Sequence, residues 1–428
     1  MSIGPLAKRI LTRKLHATGW SEPGPDDHFT RDFYQQSFHY GLHRTLGMSK
    51  RQFHDWLEGA TVKVEAPTAI AAPEKSVVVS AALLAALAAK PFVILAGTTG
   101  TGKTRTIRHC VSELSPEEVD GSFNHVFIPV EAGWVDGRHL IGYRNPFGKT
   151  GETYASTAVI SLLLRANYPP YLNCPFFIIL DEMNLSYVEM YFSRFLSLME
   201  TVAGGAPEAV LGSNELSLLH RSAPNATEAT YIEHAMNSGG VFLTQNVFLV
   251  GTVNVDETTH MFSPKVLDRS FVLEFPTILP SQKPDDFAIP ESDATQVRVS
   301  EAWKYLVNSR DVQPVKDEDG FLDTVYEMLG RFQFGPRITM EAQRYLAVVN
   351  RLTKVSECAE TFFDSSMVKD RILMQKILPK LHGNRNQLEG VVTKLLRFAE
   401  NSRFPRSQAK LKSMANDLKS PGFTNFFA

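Results

Sequence analysis

A glycine-rich loop between an apolar run and a helical pattern constrains the fold of this chain more than any other feature. It lies in Ile94–Cys110, ILAGTTGTGKTRTIRHC, and matches the pattern G-x-x-x-x-G-K-[ST]. Glycines let the loop turn tightly, so that its N–H groups can point at phosphate oxygens. The following helix directs its positive end at the same anion. The predicted phosphate-binding loop consists of Gly97, Thr98, Thr99, Gly100, Thr101, Gly102, Lys103 and Thr104.

Two side chains of this loop have specific predicted contacts. Lys103 would place its ammonium on the β- and γ-phosphates of a nucleotide, and Thr104 would offer its hydroxyl to magnesium. A chance turn rich in glycine and threonine is the alternative interpretation. The apolar strand before the loop and the helix after it favour the phosphate loop.

Five short runs rich in valine, isoleucine and phenylalanine are predicted to be strands of one sheet. Each run is almost continuously apolar, which is typical of strands buried on both faces of a parallel α/β sheet. The runs are PFVILAG, HVFIPVEAG, PFFIILDE, NVFLVGTVN and RSFVLEF. The segment SAALLAALAAK and the chain from about Ser300 onward have helical patterns. The predicted fold class is therefore α/β, with a phosphate-loop parallel-sheet core, a C-terminal helical lid domain and a small helical N-terminal region.

Changes in composition divide the chain into four predicted parts. Residues 1–65, rich in histidine and aromatic side chains, form a small helical region that contacts a partner or DNA. Residues 66–75 form an Ala/Pro linker, 76–276 the α/β nucleotide-binding core, and 277–428 a connector followed by the lid domain. The stretch 203–240, rich in glycine, serine and asparagine, is predicted to be a surface insertion.

Charge, cysteine content and hydropathy exclude several classes of protein. The 428-residue chain has a formal net charge of -2, so any nucleic-acid surface must be local or built by assembly. Its three cysteines are scattered and form no CxxC pair, which fits a reducing cytoplasm rather than a disulfide framework or a zinc site. The longest apolar stretch, Ser76–Ala89, is too short to span a bilayer, and the N-terminus has no signal-peptide core. We expect a cytoplasmic protein without membrane contact.

A pair of acidic residues follows the third predicted strand. Asp181 and Glu182 stand at the carboxyl end of PFFIILDE, the end at which open α/β sheets bind ligands. Asp181 could join the shell of a magnesium ion, and Glu182 could polarise an attacking water. An acid pair that caps the following helix is the alternative. The phosphate loop upstream favours the catalytic interpretation.

Three further polar residues complete a candidate hydrolytic site. Asn254 ends the fourth predicted strand, where its amide could orient water against a γ-phosphate. Arg269 precedes the fifth strand, and could be either a surface ion-pair former or an arginine finger that reaches the nucleotide of a neighbouring subunit. Arg337 falls in the first turn of a helix, a poor place for a cation on dipole grounds. A ligand contact of Arg337 with phosphate is favoured over a solvated arginine.

In this order and spacing, the motifs resemble those of the AAA+ NTPases. VEAGWVDGRHLIGYRNP, LDEMNLSYVEMYFSRFLSLME, GTVNVDETTHMFSPKVLDR and ILPKLHGNRNQLEG more narrowly resemble the McrB-like branch, whose members are NTPase subunits of restriction and defence systems. The resemblance extends from about Ser76 to the C-terminus. It implies Walker A roles for Lys103 and Thr104, and Walker B roles for Asp181 and Glu182.

The same resemblance implies roles for the remaining residues and for partners. Asn254 would be sensor 1, Arg269 the arginine finger, Arg337 sensor 2, and Asp256 a helper that positions water. It further implies magnesium with ATP or GTP, a hexameric ring, and an McrC-like nuclease partner that supplies DNA cleavage. DNA would be bound through the assembled complex. The short N-terminal region offers no domain of the size expected for a methylcytosine reader.

Three functions remain open at the level of sequence. The leading expectation is an NTPase motor subunit that drives or activates a partner nuclease in antiphage defence. A MoxR-like ATPase that remodels proteins shares the LDR element before the fifth strand. A nucleotide-gated assembly scaffold is the third possibility, although intact Glu182 and Arg269 favour turnover. The choice between ATP and GTP is not readable, since the loop contacts phosphates only.

Overall fold

The computed structural model describes residues 69–116, 123–148, 151–203, 207–223, 225–255, 260–275, 293–358 and 360–427. The predicted N-terminal helical region, residues 1–65, lies outside the described residues, as do residues 66–68 of the predicted linker.

A five-stranded parallel sheet forms the centre of the α/β part. Its spatial order is β3-β6-β7-β2-β8, and every neighbouring pair is parallel. The strands are β2 (Phe92–Gly97), β3 (His125–Pro129), β6 (Phe176–Asp181), β7 (Val247–Asn254) and β8 (Phe271–Glu274). All five apolar runs predicted to be strands are confirmed, and the chain has the α/β fold with a parallel sheet that the sequence predicted.

Burial explains why these runs carry no alternating polar residues. All residues of β2 are buried, as are the first five of β6 and the first seven of β7. Helices cover both faces of such a sheet, so apolar side chains are needed on both. The central position of β7, between β2 and β6, brings the carboxyl ends of these three strands to one edge.

Helices and short strands of the first part of the chain connect and cover the sheet. They are β1 (Ser76–Ser80), α1 (Ala81–Ala89), α2 (Lys103–Glu113), α3 (Arg138–Ile141), β4 (Tyr143–Gly148), β5 (Gly151–Ala155), α4 (Ala158–Ala166), α5 (Val188–Tyr191), α6 (Ser193–Ala203), α7 (Ser213–Arg221), α8 (Ala226–Asn237) and α9 (Pro264–Leu267).

The C-terminal part is mostly helical, as predicted. Its elements are β9 (Ala294–Arg298), α10 (Val299–Val307), α11 (Phe321–Leu329), α12 (Pro336–Leu352), β10 (Ser356–Cys358), α13 (Glu360–Phe363), α14 (Ser365–Ile372), β11 (His382–Asn384), α15 (Arg385–Asn401), α16 (Pro405–Lys419) and β12 (Phe423–Asn425). Short 3₁₀ helices lie at Pro169–Tyr171, Met183–Leu185, Asn308–Asp311, Gly330–Phe332 and Leu378–Lys380, and a π-helix lies at Leu373–Ile377.

A second, antiparallel sheet ties the start of the α/β part to the C-terminal part. Its order is β1-β9-β10. Ser80 caps α1 by accepting a hydrogen bond from Leu83 N–H, and the Asp293 carboxylate accepts from the Ser80 hydroxyl and from Ala82 N–H. Strand β1 thus pairs with a segment more than two hundred residues away, which no local pattern predicts.

The stretch predicted to be a surface insertion contains two helices whose apolar faces pack against the body of the protein. Helices α7 and α8 bury Leu216, Leu219 and Ile232, and the Ser161 hydroxyl on α4 donates to Glu228 on α8 at 2.8 Å. The glycine, serine and asparagine residues of this stretch lie mostly near helix ends and turns, which gave it the composition of a loop.

Among the described residues, no helix is long and apolar enough to cross a membrane.

Candidate functional site

The glycine-rich loop joins the end of β2 to the start of α2. Gly100 and Gly102 have φ values of +84° and +85°, a region that side-chain-bearing residues rarely adopt. A Cβ at Gly97 would come within 2.8 Å of the backbone oxygen of Phe275. Gly102 precedes α2 and has no side chain to cap it. The three glycines therefore allow a turn that leaves the first N–H groups of the helix directed at a ligand position.

Lys103 is folded back over this loop. Its ammonium donates to the carbonyl oxygens of Gly97, at 2.8 Å, and Thr98, at 2.7 Å, and lies 3.4 Å from the Thr101 hydroxyl. The residue is 5% exposed. A buried cation needs acceptors, and the loop carbonyls provide them. The phosphates of a nucleotide would compete with these carbonyls for the same ammonium.

Asp181 is connected to helix α2 and to strand β7 through hydroxyl groups. The Thr104 hydroxyl, in the first turn of α2, donates to Asp181 Oδ1 at 2.9 Å. The Thr252 hydroxyl, on β7, donates to the same oxygen at 2.5 Å and accepts from Glu182 N–H at 3.0 Å. One carboxylate thus joins the phosphate loop, the acid pair and the strand that ends in Asn254.

Glu182 has a backbone conformation that is rare outside glycine. Its φ and ψ are +53° and +44°, in the left-handed region. Such conformations cost free energy and persist where surrounding contacts impose them, often at functional sites. The contacts here are the Thr252 hydroxyl on the N–H and the Asn254 amide, whose Nδ2 donates to Glu182 Oε1 at 3.0 Å.

A buried asparagine forms a hydrogen bond with the backbone at the end of β7. Asn184 is 3% exposed, and its Nδ2 donates to the carbonyl oxygen of Asn254 at 3.0 Å. The carbonyl oxygen of Asn184 accepts from His260 N–H. At Gly251, on the same strand, a Cβ would lie 2.3 Å from the Met183 sulfur, so any larger residue would displace the side chain of the residue that follows Glu182.

The oxygen atoms at this edge fit a magnesium ion. Thr104 and Asp181 supply a hydroxyl and a carboxylate, and Mg²⁺ prefers such oxygen ligands together with phosphate and water. In the part of the chain that the structure describes, no group of three or more His, Cys, Asp or Glu side chains is placed to hold a metal ion by itself. Thr104 and Asp181 are the residues that could contribute ligands to such an ion.

Arg269 and Arg337 converge on a single carboxylate. Glu200, near the end of α6, accepts from Nη2 of Arg269 and, at 3.0 Å, from Nη2 of Arg337. The hydrogen bond from Arg337 holds the pKa of Glu200 below its ordinary value; burial opposes this shift, and the charge of Arg269 reinforces it. Nη1 of Arg269 also donates to the carbonyl oxygen of Lys265 at 2.6 Å. The structure therefore brings together two arginines that lie 68 positions apart in the chain.

The predicted site residues thus fall into two groups. The loop, Asp181, Glu182 and Asn254 meet at the edge of the sheet, while Arg269 and Arg337 meet at Glu200. Asp256 lies outside the described residues. Thr99 is exposed in the loop, and Thr101 donates its hydroxyl to the carbonyl oxygen of Thr98 at 2.8 Å.

Sequence reasoning missed three residues that organise these groups. Thr252 lies inside the apolar strand β7. A hydroxyl among apolar side chains is the one local feature that sets it apart from its neighbours in that strand. Asn184 lies two positions after Glu182. The local signal for it is a polar side chain close to the end of a strand. Glu200 lies in an ordinary amphipathic helix, and nothing local distinguishes it from a solvated acid.

Part of the chain matches a known protein family. Residues 294–423 match a family described as a domain of unknown function, DUF8727. The matched segment runs from β9 to the start of β12 and so covers most of the helical C-terminal part. No curated protein matches the chain.

Proposed function

We propose that this chain is a magnesium-dependent NTPase of the AAA+ type, similar to the McrB-like branch, that hydrolyses ATP or GTP. One observation carries the proposal: Asp181 accepts hydrogen bonds from Thr104 and Thr252, while Glu182 accepts one from Asn254. A phosphate loop, a magnesium-binding carboxylate and a base with an orienting amide are the parts that hydrolysis of a nucleoside triphosphate requires. Packing alone does not call for this convergence of polar side chains.

The residues divide the chemical work in the following way. The N–H groups of the loop and the first turn of α2 would bind the phosphates, and Lys103 would exchange its carbonyl acceptors for β- and γ-phosphate oxygens. A magnesium ion held by Thr104 and Asp181 would neutralise charge on these phosphates when bound. Glu182 would accept the proton of the attacking water, and Asn254 would hold both the carboxylate and the water in line with the γ-phosphate.

We propose that Arg269 and Arg337 act together on the nucleotide of a neighbouring subunit. Both guanidinium groups already share one acceptor, Glu200, so they can approach one phosphate as a pair. Arg269 has the position of an arginine finger in the resembling family. A finger spreads the charge of the transition state, and its arrival from another subunit makes hydrolysis depend on assembly. In the free subunit Glu200 offsets one of the two positive charges of the pair.

The wider assembly follows from the resemblance. We propose a homo-oligomeric ring, hexameric by analogy, whose hydrolysis drives or activates an McrC-like nuclease on DNA in antiphage defence. The C-terminal helical part would serve as the lid over the nucleotide. A reducing cytoplasm suits the buried thiols of Cys110 and Cys174, because burial raises the pKa of both, to about 12 for Cys110.

Turnover measured against protein concentration tests the hydrolytic proposal. Phosphate release from ATP and from GTP should be slow per subunit at low concentration and should rise as subunits assemble. Lys103→Ala and Glu182→Gln should abolish it at every concentration. Arg269→Ala should remove the rise, and Arg385→Ala, which removes an exposed arginine paired with Glu389, should not. Equal turnover of Arg269→Ala and the unchanged protein would refute the in-trans role.

A second measurement separates nuclease activation from remodelling of proteins. The chain would be mixed with the product of a neighbouring gene and with linear DNA, and both DNA cleavage and phosphate release would be followed. Nucleotide-dependent cleavage that Glu182→Gln abolishes supports the McrB-like role. Stimulation of hydrolysis by a folded protein client, without any effect of DNA or nuclease, would favour the MoxR-like alternative.

A further inference from the structure

A buried lysine holds the backbone on both sides of Arg269. Lys376 lies in the π-helix Leu373–Ile377 and is 1% exposed. Its ammonium donates to the carbonyl oxygen of Asp268 at 3.0 Å and to that of Ser270 at 2.9 Å. These residues flank Arg269 in the chain. Lys376 therefore restrains the peptide group that precedes Arg269 and the peptide group that follows Ser270.

The third acceptor of this ammonium is a carboxylate on α12. Lys376 Nζ lies 2.5 Å from Glu341 Oε2, and Lys90 Nζ lies 2.5 Å from Glu341 Oε1. An ammonium has three N–H groups, so two carbonyls and one carboxylate match its donors. Burying a charge pair often stabilises a fold no more than apolar side chains of similar size would. What the cation adds here is two directed hydrogen bonds, both of which end beside Arg269, and an ion pair with Glu341.

Helix α12 is connected to Arg269 by two routes. Arg337, in its first turn, shares the Glu200 carboxylate with the Arg269 guanidinium. Glu341, one turn later on the same face of the helix, holds Lys376, which in turn holds the backbone around Arg269. The side chain and the backbone of Arg269 therefore both depend on the docking of the C-terminal helical part.

The charged groups around Lys376 keep its ammonium protonated near neutral pH. Burial lowers the pKa of Lys376 to about 8, against the opposing charge of Glu341, and the positive charges of Lys90 and Lys380 lower it further. Burial would raise the pKa of Glu341, but the two lysines at its oxygens hold it below its ordinary value. The Asp268 carboxylate forms an ion pair with Lys380.

We propose that Lys376 is a positioning residue for the arginine finger. It holds the backbone of Arg269 so that the guanidinium enters the neighbouring subunit's site in line with the γ-phosphate, and it makes this geometry depend on the lid of the same subunit. The inference rests on the proposed in-trans role of Arg269. Loss of alignment by about 1 Å can lower a rate by about 100-fold, so release of this backbone should be visible in turnover.

Mixed rings test the proposal, because they assign the function of Lys376 to one side of an interface. Glu182→Gln subunits keep Arg269 but cannot hydrolyse, and Arg269→Ala subunits keep an intact site but lack the finger. Each should be inactive alone. A mixture should regain turnover at interfaces where an intact finger meets an intact site.

Lys376→Met is then placed in one partner at a time. In the Glu182→Gln subunit, which donates the finger, it should lower the turnover of the mixture at least about 10-fold. In the Arg269→Ala subunit it should leave the turnover of the mixture unchanged, because the finger of that subunit is already missing. Methionine is unbranched and of similar length, and Glu341 keeps Lys90 as its partner, so the variant should fold.

Three results would contradict the proposal. An equal loss in both placements would indicate a general structural role for Lys376, and no loss in either placement would show that the finger does not need it. If the mixture of Glu182→Gln and Arg269→Ala regains no turnover, the in-trans role itself fails, and the inference fails with it. Lys410→Met in the finger-donating subunit is the matched control. Lys410 is also mostly buried and pairs with Glu274 at 2.7 Å, on the strand after Arg269, and its loss should leave turnover intact.

Discussion

The side-chain amide of Asn254 donates a 3.0 Å hydrogen bond to the carboxylate of Glu182, 72 positions earlier in the chain. The two residues meet because β6 and β7 are neighbours in the sheet and end at the same edge. The amide thus restrains one carboxylate oxygen of the proposed base.

Replacement of Asn254 by alanine should therefore lower kcat more than it raises KM. The phosphate loop is untouched, while general base catalysis, worth about 100-fold or more, loses its orienting partner. We expect a fall in kcat of about 10- to 100-fold in steady-state phosphate release. Asn350→Ala, at an exposed position of α12, is the control. A rise in KM at constant kcat would show that Asn254 serves nucleotide binding instead.

Thr252→Val should affect both stability and turnover. The Thr252 side chain is buried, and its hydroxyl bridges the Asp181 carboxylate and Glu182 N–H. Valine would leave the part-buried N–H group of Glu182 without its acceptor, and loss of such a partner costs up to about 1–3 kcal/mol. Urea unfolding should show this loss of stability, and phosphate release should fall. Thr252→Ser keeps the hydroxyl and should restore both. Restored stability without restored turnover would argue against the role of this hydroxyl in the site.

Glu200 should contribute to stability at neutral pH and less in acid. Because Arg337 and Arg269 lower its pKa in the folded protein, the contribution is complete above the ordinary pKa of a glutamate and is lost as pH falls through the lowered value. The group is partly exposed, so the effect at pH 7 should be only about 0–1 kcal/mol. Urea unfolding of Glu200→Gln and the unchanged protein should differ at pH 7 and converge near pH 3. A difference that grows in acid would contradict this assignment.

The pH dependence of stability should reveal the charge of Lys376. Burial lowers its pKa to about 8, so between pH 8 and the ordinary lysine value the unfolded chain binds a proton that the folded protein does not. Stability due to this group therefore rises with pH over that window, by an amount on the order of 1–3 kcal/mol. The stability of the unchanged protein relative to Lys376→Met, measured by urea unfolding, should increase from pH 7.5 to pH 9.5.

The rate of hydrolysis should fall as the pH rises over the same range in which the stability due to Lys376 rises. Loss of the Lys376 proton removes one hydrogen-bond donor beside Arg269, so turnover should fall while the fold is not weakened by this group. A fall in turnover that parallels a fall in stability would show simple unfolding instead. Lys410→Met should keep the pH profile of the unchanged protein.

Local pattern was sufficient for the sheet and for the residues at its edge. Uninterrupted apolar runs predicted the five parallel strands. Polar residues at the ends of two of these runs marked Asp181, Glu182 and Asn254 as candidate site residues. Strand ends are local features, so a single sequence shows them. The same reasoning did not predict α7 and α8 within 203–240, where glycine, serine and asparagine near the helix ends concealed the buried apolar faces of these helices.

The amino-acid sequence by itself determined the phosphate loop, the sheet strands and the set of side chains able to do chemistry. Only the tertiary structure decided their partners: Thr252 beside Asp181, Glu200 between Arg269 and Arg337, and Lys376 at the backbone of Arg269. Each of these contacts joins residues about 70 or more positions apart. Such pairs depend on strand order and on the docking of the C-terminal helices. These in turn follow from burial summed over the whole chain, which no short window of sequence contains.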